Sequence, residues 1–200
     1  MDPEIDSLMI DIETDSLLMR AKQRDLSDRE LEEVKSELLD PETTEDRHRL
    51  LYIIGRGGDP RFLPVVEPFL DSPDDPMLAS LALEILCNFW GLYEKYRDVT
   101  IKFMRGVPWD EDKEVMDMAI SCAGQLLRER RDPELARMLL EIAEWKVDDE
   151  ITELTRDWAM FALGRAVGLS WKELPPVPEG LKPDSDLGRM ILERARLIVK

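Results

Sequence analysis

Residues 47–90 read RHRLLYIIGRGGDPRFLPVVEPFLDSPDDPMLASLALEILCNFW. Apolar side chains recur there at helical spacing in three runs, which are separated by a glycine-rich turn and an acidic turn. The pattern predicts a helix, a tight turn, a second helix, an acidic turn and a third helix. The chain on either side can be interpreted as an extension of this unit.

The turns of this stretch have the residues that helix ends require. Gly55 closes the first helix, and the glycines at 57–58 can adopt a positive φ. The pair Asp59-Pro60 opens the second helix, because aspartate caps the free amides and proline loses no donor at the first position. Pro68 lies deeper in the same helix, so the sequence predicts a kink or a late helix start there.

Several landmarks recur farther along the chain. Cys87 and Cys122 are 35 residues apart, in positions that the sequence predicts to be equivalent, and Trp109 and Trp145 are 36 residues apart. The acidic turns recur as well, as Asp74-Asp75, Asp110-Glu111-Asp112 and Asp148-Asp149-Glu150, and Arg131-Asp132-Pro133 repeats the turn chemistry of residues 58–60. A period of about 20–50 residues with two helices per unit predicts an all-α solenoid over residues 44–174.

The N-terminal region has a different character. Residues 1–46 hold 16 acidic and 5 basic residues, which is 11 of the 17 net negative charges of the chain. Apolar residues still fall at helical spacing, at Ile5, Leu8, Met9 and Ile12 and again from residue 17, and Ser27 with Glu30 fits a capping box. One interpretation of residues 1–43 is an acidic helical cap on the end of the repeats. The other is an acidic arm that meets a basic partner.

The C-terminal region begins with a proline-rich stretch. Residues 175–183 read PPVPEGLKP, which predicts a stiff linker. A last helix is expected from Asp184 or Ser185, with an apolar face and a basic end that suits the helix dipole. Residues 175–200 are therefore predicted to be a linker and a C-terminal capping helix.

These features resemble HEAT-like repeats of the armadillo-type superhelix, and most of all the short variety first described in phycobilin lyases. The resemblance rests on the glycine-rich turn followed by Asp-Pro and on the pairs Leu63-Pro64 and Leu70-Asp71. It implies an α-α superhelix with helical caps at both ends. The period is shorter than the roughly 40–47 residues usual for such repeats. A tetratricopeptide array has a suitable period, but residues 90–93 do not meet its Trp-x-x-Leu-Gly-x-x-Tyr order.

The composition limits the possible partners. The net charge is -17 and the isoelectric point is near 4.5, so the chain lacks the positive field that nucleic acid requires. The same charge favours encounter with a basic protein. No apolar run approaches membrane-spanning length, and the start lacks the basic and apolar regions of a signal peptide. The sequence predicts no membrane association and a cytoplasmic location.

No catalytic, metal or cofactor site is predicted. His48 is the one histidine, and a surface position is its simplest interpretation. Cys87 and Cys122 are expected to be buried packing residues, since equivalent positions in adjacent repeats lie about 8–10 Å apart, beyond bridging distance. Residues 55–59 lack the Lys-Ser/Thr of a phosphate loop, and the acidic turns lack the spaced ligands and glycine of a calcium loop.

The predicted binding site is an acidic ridge. In a solenoid the equivalent turns lie along one edge, and the two tryptophans would lie beside them as interface anchors. The predicted partner-binding residues are Asp74, Asp75, Trp109, Asp110, Glu111, Asp112, Trp145, Asp148, Asp149 and Glu150. Two simpler roles stay open, namely helix capping for the acidic residues and gap filling between repeats for the tryptophans.

The predicted function is non-catalytic protein binding. A small acidic binder of this kind resembles the immunity proteins that neutralise basic nuclease toxins in bacterial competition. One alternative is a general scaffold for the assembly of a protein complex. Another is an enzyme similar to the HEAT-like DNA glycosylases or to the lyases, although the predicted second helices carry acidic and basic residues in mixture, which suits a duplex poorly. The partner and the oligomeric state stay open.

Overall fold

The computed structural model describes residues 15–43, 46–145, 152–176 and 180–199, and within these ranges the chain is all-α and forms no strand. It divides into two compact units, Met1–Gly91 and Leu92–Lys200, here called unit 1 and unit 2. The helices are α1 (15–23), α2 (Asp28–Leu39), α3 (Arg47–Gly57), α4 (Leu63–Val66) and α5 (Pro76–Glu84) in unit 1, and α6 (Arg97–Met104), α7 (Glu114–Glu129), α8 (Pro133–Glu144), α9 (Glu153–Ala166) and α10 (Asp186–Val199) in unit 2.

The first helices of unit 1 form as their cap residues predict. Ser27 and the side chain of Glu30 make the reciprocal bonds of a capping box at the start of α2, and Asp40 ends that helix. One face of α2 is buried and packs on α3. Arg20 of α1 donates to Glu30 at 2.5 Å, which ties α1 to α2. The apolar positions predicted at Ile5, Leu8, Met9 and Ile12 lie outside the described residues.

The glycine-rich turn differs from its prediction in its backbone. Gly58 is extended, with a φ of -87°, and neither it nor Gly57 is among the described residues with positive φ. Both glycines are required for space instead. A Cβ on Gly57 would lie 2.8 Å from Leu26 Cδ1, and one on Gly58 would lie 2.5 Å from the Ile54 carbonyl oxygen and 2.9 Å from Phe62 Cδ2.

The second predicted helix of unit 1 is broken into three short turns. Asp59 caps the first of them by accepting from the Arg61 amide at 2.9 Å. The chain then runs through a 3-10 turn (Pro60–Phe62), α4 and a second 3-10 turn (Glu67–Asp71). Pro68 lies in the last turn, where its ring and its missing amide donor oppose a continued α-helix. The predicted kink at Pro68 is confirmed.

The third predicted helix contains an irregularity that the sequence did not indicate. α5 continues into a π-turn (Ile85–Phe89), after which the Trp90 indole donates to the Gly55 carbonyl oxygen at 3.1 Å. Cys87 lies in this π-turn, whereas Cys122 lies in the middle of α7. The expectation that they are equivalent positions was therefore wrong. Both are buried and neither forms a disulfide, as predicted.

The helices of unit 2 pack directly against one another. α7 contacts α9, α8 contacts both α9 and α10, and α6 contacts α7. The approach of α7 to α9 depends on Gly124, where a Cβ would lie 2.8 Å from the Ala162 Cα. α7 begins at Glu114, later than the acidic turn predicts, because Lys113 is left-handed with a φ of 64°.

The last helix agrees with the sequence. The Ser185 hydroxyl accepts from the Gly188 amide at 3.0 Å, and α10 begins at the next residue, Asp186. Its buried face packs on α8 and α9. Leu174 and Leu181, at either end of the proline-rich stretch, are also buried.

Candidate protein-binding surfaces

The acidic charge of the chain is concentrated in unit 1. Residues 1–91 hold 22 acidic and 9 basic residues, whereas residues 92–200 hold 22 and 18. Among the described side chains, unit 1 exposes 12 acidic and 5 basic residues, and unit 2 exposes 13 and 12. Unit 1 therefore has a strongly negative surface, while the charges of unit 2 nearly cancel.

Helix α2 presents part of this negative surface. Glu32 pairs with Lys35 at 2.6 Å and Glu33 pairs with Arg29 at 2.8 Å, in the i,i+3 and i,i+4 relation of an exposed helix face. Glu37 accepts from the Thr43 hydroxyl, and Asp40 lies exposed at the end of the helix. We call Glu32, Glu33, Glu37 and Asp40 the α2 acidic face. Ion pairs of this kind stabilise a fold by only about 0–1 kcal/mol, so the face has little structural value.

The first predicted acidic turn lies at the surface of unit 1. Asp74 and Asp75 are both exposed. Asp75 also caps α5, because its carboxylate accepts from the Leu78 amide at 3.2 Å. The turn therefore has the capping role that the sequence offered as its simpler interpretation, and it leaves Asp74 available to solvent.

The second predicted acidic turn differs from its prediction at Asp110. This residue is only 2% exposed, and its carboxylate accepts from the Val115 and Met116 amides at 2.9–3.2 Å. The left-handed Lys113 turns the chain back so that the start of α7 points at Asp110. Asp110 is an internal cap that a partner cannot reach, whereas Glu111 and Asp112 are exposed.

The two predicted tryptophan anchors differ in exposure. Trp109 is partly buried and packs its edge on the Phe103 ring, with the ring centroids 6.1 Å apart. Trp145 directly follows α8 and is 48% exposed. The third acidic turn, Asp148, Asp149 and Glu150, lies outside the described residues. The ridge formed by all three turns therefore stays a prediction.

An arginine holds the start of α8. The Arg97 guanidinium donates to both carboxylate oxygens of Asp132, at 2.6 and 3.2 Å, and to Glu134 at 2.7 Å. Asp132 is 3% exposed and also caps α8. The Arg97 hydrogen bond holds the pKa of Asp132 below its usual range. An open hollow of about 430 Å³ lies here, but its basic residues face Asp98 and Glu134, so its charges nearly cancel.

Two carboxyl groups of unit 2 are buried without full hydrogen bonding. Burial raises the pKa of Asp117 to about 6, against the opposing hydrogen bond from Thr155. Burial also raises the pKa of Asp157. One oxygen of each carboxylate has no hydrogen-bond partner. Among the residues that the structure describes, no group of three or more histidines, cysteines or acids could hold a metal ion.

An aromatic surface on α9 was not predicted from the sequence. Trp158 and Phe161 have ring centroids 6.3 Å apart, and Trp171 lies on Phe161 with centroids 4.8 Å apart. Leu154 precedes Trp158 by one helical turn on the same face. Leu154 is 47% exposed and Trp171 is 60% exposed, whereas Phe161 is buried at 6% and Trp158 is half-buried. We call these four residues the α9 aromatic surface.

An arginine supports this surface from beneath. The Arg165 guanidinium lies over the Trp171 ring at 4.8 Å from the centroid and donates to the Leu169 carbonyl oxygen at 3.0 Å. It is only 6% exposed, and its Nε has no partner. Burial and the nearby Arg128 lower its pKa. Within the described ranges, no carboxylate lies within ion-pair distance of either Arg165 or Arg128.

The helical spacing of Leu154, Trp158 and Phe161 is visible in the sequence, and such spacing is typical of a helix face that packs on a core. α9 buries residues on several sides, among them the polar Thr155, Asp157 and Arg165, and α7, α8 and α10 pack on it while Leu154 stays exposed. Periodicity alone could not show which apolar side stays uncovered.

In the part of the chain that the structure describes, no helix is long and apolar enough to cross a membrane. No protein-family model matches the chain, and no curated protein or solved structure matches it either.

Proposed function

We propose that the chain is a non-catalytic protein-binding module of HEAT-like helical hairpins that takes a basic protein partner on unit 1. The observation that carries this proposal is the excess of exposed acidic over basic side chains in unit 1, 12 against 5 among the described residues. Such a field speeds encounter with a basic surface and disfavours acidic ones. The proposed contact residues are the α2 acidic face and the exposed turn residues of unit 1, Asp74 and Asp75.

The helix contacts of unit 2 support the hairpin interpretation. If α7–α8 and α9–α10 are successive hairpins, then first helix packs on first helix (α7 on α9) and second on second (α8 on α10). This is the contact pattern of neighbouring units in a helical repeat. α3 and α5 make the corresponding first-helix contact in unit 1. We therefore keep the HEAT-like solenoid as the proposed architecture.

An inhibitor of a basic nuclease is the form of this function that we favour. Carboxylates spaced along a helix can occupy the positive groove in which a nuclease holds phosphates. The two cysteines, which form no disulfide, suit a reducing compartment such as the cytoplasm, where an immunity protein would meet its toxin. A scaffold role is the alternative, and the separate aromatic surface of unit 2 favours it because one chain could then hold two partners.

The test is a pull-down from a lysate of the source organism with charge-neutralised baits. In the first bait, Glu32→Gln, Glu33→Gln and Asp40→Asn remove charge from unit 1. In the control bait, Glu129→Gln, Glu141→Gln and Glu193→Gln remove as many exposed acids from unit 2. We expect a basic partner that the wild type and the control bait retain and that the unit 1 bait loses, with an affinity that falls as salt rises.

The nuclease activity of the captured partner is then measured with increasing amounts of the chain. Inhibition by the wild type that the unit 1 variant lacks supports the inhibitor. A basic partner without nuclease activity supports the scaffold. Equal capture by all three baits, or capture of nucleic acid alone, contradicts binding through unit 1.

A further inference from the structure

We propose that the contact between Asp117 of α7 and the first turn of α9 is a pH-sensitive switch in unit 2. Protonated Asp117 holds the first turn of α9 closed against α7, and ionised Asp117 favours its opening. The proposal concerns a different unit from the acidic face of unit 1 and does not rest on the function proposed for that face. It is based on a chain of hydrogen bonds, on a carboxylate oxygen without a donor, and on the charges around it.

The chain of hydrogen bonds connects the Asp117 carboxylate to the cap of α9. Thr152 caps this helix, since its hydroxyl oxygen accepts from the Thr155 amide at 3.1 Å. The Thr152 and Thr155 hydroxyl oxygens lie 3.0 Å apart, and the Thr155 side chain also makes a hydrogen bond with Asp117. An ionised carboxylate can only accept, so Thr155 donates its single hydroxyl proton to Asp117 and Thr152 donates to Thr155. The ionisation of Asp117 therefore sets the direction of the hydrogen bonds at the start of α9.

The Asp117 carboxylate is poorly solvated while the first turn of α9 is closed. Its Oδ1 atom is buried and has no hydrogen-bond partner, and Thr155, which bonds the carboxylate, is completely buried. A buried charged oxygen without a donor costs free energy. Either a proton on the carboxyl group or the entry of water on opening removes this cost. Burial accordingly raises the pKa of Asp117 to about 6.

The charges at the start of α7 add to this effect. Asp110 and Glu114 raise the pKa of Asp117, and Lys113 opposes them. Asp110 is itself 2% exposed, so water screens its charge little. The surroundings of Asp117 on its own side therefore favour the protonated carboxyl group.

The charged residues of the helices that pack on α7 are paired with other groups or exposed. On α9, Arg156 pairs with Glu153 at 3.3 Å, and Lys182 and Arg156 are the cations that act on the pKa of Asp157. On α6 and α8 the pairs are Arg97 with Asp98, Asp132 and Glu134, Arg105 with Glu134, and Glu144 with Arg196, while Lys102 lies over the Phe103 ring and Arg137 and Glu141 are exposed. The Thr155 hydroxyl is the group by which α9 contacts Asp117.

The rest of α9 is held in a different way. Seven residues after Thr155, Ala162 lies so close to α7 that a Cβ on Gly124 would meet its Cα at 2.8 Å. Opening that starts at Asp117 is therefore confined to the beginning of α9. Leu154 and Trp158 lie in this part of the helix, so the switch also acts on the α9 aromatic surface.

The experiment measures hydrogen exchange of the full-length chain, resolved by peptide, at about pH 5 and about pH 7. Each rate is divided by the intrinsic chemical rate at that pH, so the remaining difference reports opening. The closed form binds the Asp117 proton more tightly than the open form, so the start of α9 should open about threefold to tenfold more often at the higher pH. Peptides of α8 should change much less. No change at the start of α9, or an equal change in α8, overturns the proposal.

Two matched variants identify the carboxyl group that is responsible. Asp117→Asn keeps the size of the side chain and cannot ionise, so the start of α9 should remain closed at both pH values. Asp157→Asn removes the other poorly solvated carboxyl group of unit 2 and should retain the pH response. A response that survives in Asp117→Asn, or that disappears in Asp157→Asn, contradicts the assignment to Asp117.

A third variant tests the role of Thr155 as a positioning residue. Thr155→Val removes the hydroxyl that stabilises the ionised carboxylate, so the midpoint of the pH response should move to higher pH. Thr155→Ser keeps the hydroxyl and should restore the wild-type midpoint. An unchanged midpoint in Thr155→Val would show that the hydrogen-bond chain does not connect Asp117 to the cap of α9, and it would overturn the switch.

Discussion

Units 1 and 2 use the same kinds of helix ends for different purposes. Asp59 and Asp132 both stand before a proline and cap the following turn, but Asp59 is exposed, whereas Asp132 is buried beneath Arg97. Unit 1 leaves its carboxylates in water, where they contribute charge to the surface. Unit 2 draws several of them inside, where they hold helices together or remain poorly solvated. Aspartates of similar sequence context therefore lie at the surface in one unit and in the interior in the other.

The largest effect on stability is expected from Asp132→Ala, which removes the buried one of these two aspartates. Asp132→Ala removes the cap of α8 and leaves the Arg97 guanidinium with only part of its ion pairing, so we expect a loss of about 3 kcal/mol in the free energy of unfolding. Asp59→Ala removes an exposed cap and should cost about 1 kcal/mol. Urea unfolding followed by circular dichroism measures both. Equal losses would contradict the difference between the units.

The pH dependence gives an independent check of Asp132. Its pKa is lowered in the folded chain, so its contribution is present above the ordinary value of 3.8 and is lost as the pH falls through the folded value. The penalty of Asp132→Ala should therefore shrink in strongly acidic solution.

The second prediction concerns the close helix contacts. Gly124→Ala places a Cβ against the backbone of Ala162, which cannot move without displacing α9, and should cost about 2 kcal/mol. Gly57→Ala in unit 1 meets Cδ1 of the partly exposed Leu26 at 2.8 Å, the end of a side chain that can move, and should cost less. Hydrogen exchange resolved by peptide shows whether each loss stays within its own unit. A larger loss for Gly57→Ala would contradict this comparison.

The third prediction is a gain in stability. The pKa of Asp117 is raised to about 6, so between about pH 4 and 6 the folded chain binds more protons than the unfolded chain, and stability falls as the pH rises through that window. Asp117→Asn removes the buried charge and should stabilise unit 2 by about 1 kcal/mol at pH 7, because partial solvation discounts the full shift.

At pH 4 the advantage of Asp117→Asn should disappear, since the native carboxyl is then neutral as well. Glu129→Gln, an exposed position on the same helix, is the control and should show no such pH dependence. A constant effect of Asp117→Asn at both pH values would point to packing rather than to charge.

The smallest effect is expected on the α2 acidic face. Glu33→Gln breaks an exposed pair with Arg29 and should change the free energy of unfolding by less than about 0.5 kcal/mol. Thermal unfolding at low and high salt measures this. A loss above about 1 kcal/mol would mean that the face supports the fold, and its use for binding would need to be reconsidered.

Local chemistry was the part of the fold that the sequence predicted well. The capping box at Ser27, the cap at Asp59 and the start of the last helix are all set by residues within one turn of each other, so the sequence contains the whole cause. The predictions failed where the backbone path of a short turn decides. Lys113 is left-handed and turns the chain back over Asp110, which is therefore buried. Gly58 has a negative φ, and the Ile54 carbonyl oxygen and the Phe62 ring leave no room for a Cβ there.

The two candidate surfaces also differ in how far the sequence predicted them. Composition predicted the acidic excess, and the structure locates most of it in unit 1. The α9 aromatic surface could not be predicted, because three neighbouring helices decide which apolar side of α9 they leave uncovered.

The two buried cysteines provide each unit with its own reporter. Cys87 lies in unit 1 and Cys122 in unit 2, and both are almost inaccessible in the folded chain. A thiol reagent can reach either one only after local opening, so the two labelling rates measure how often each unit opens. Mass spectrometry of the labelled peptides would separate the rates within one sample of the wild-type chain. Local opening of unit 1 and of unit 2 can thus be measured with the cysteines that the chain already contains.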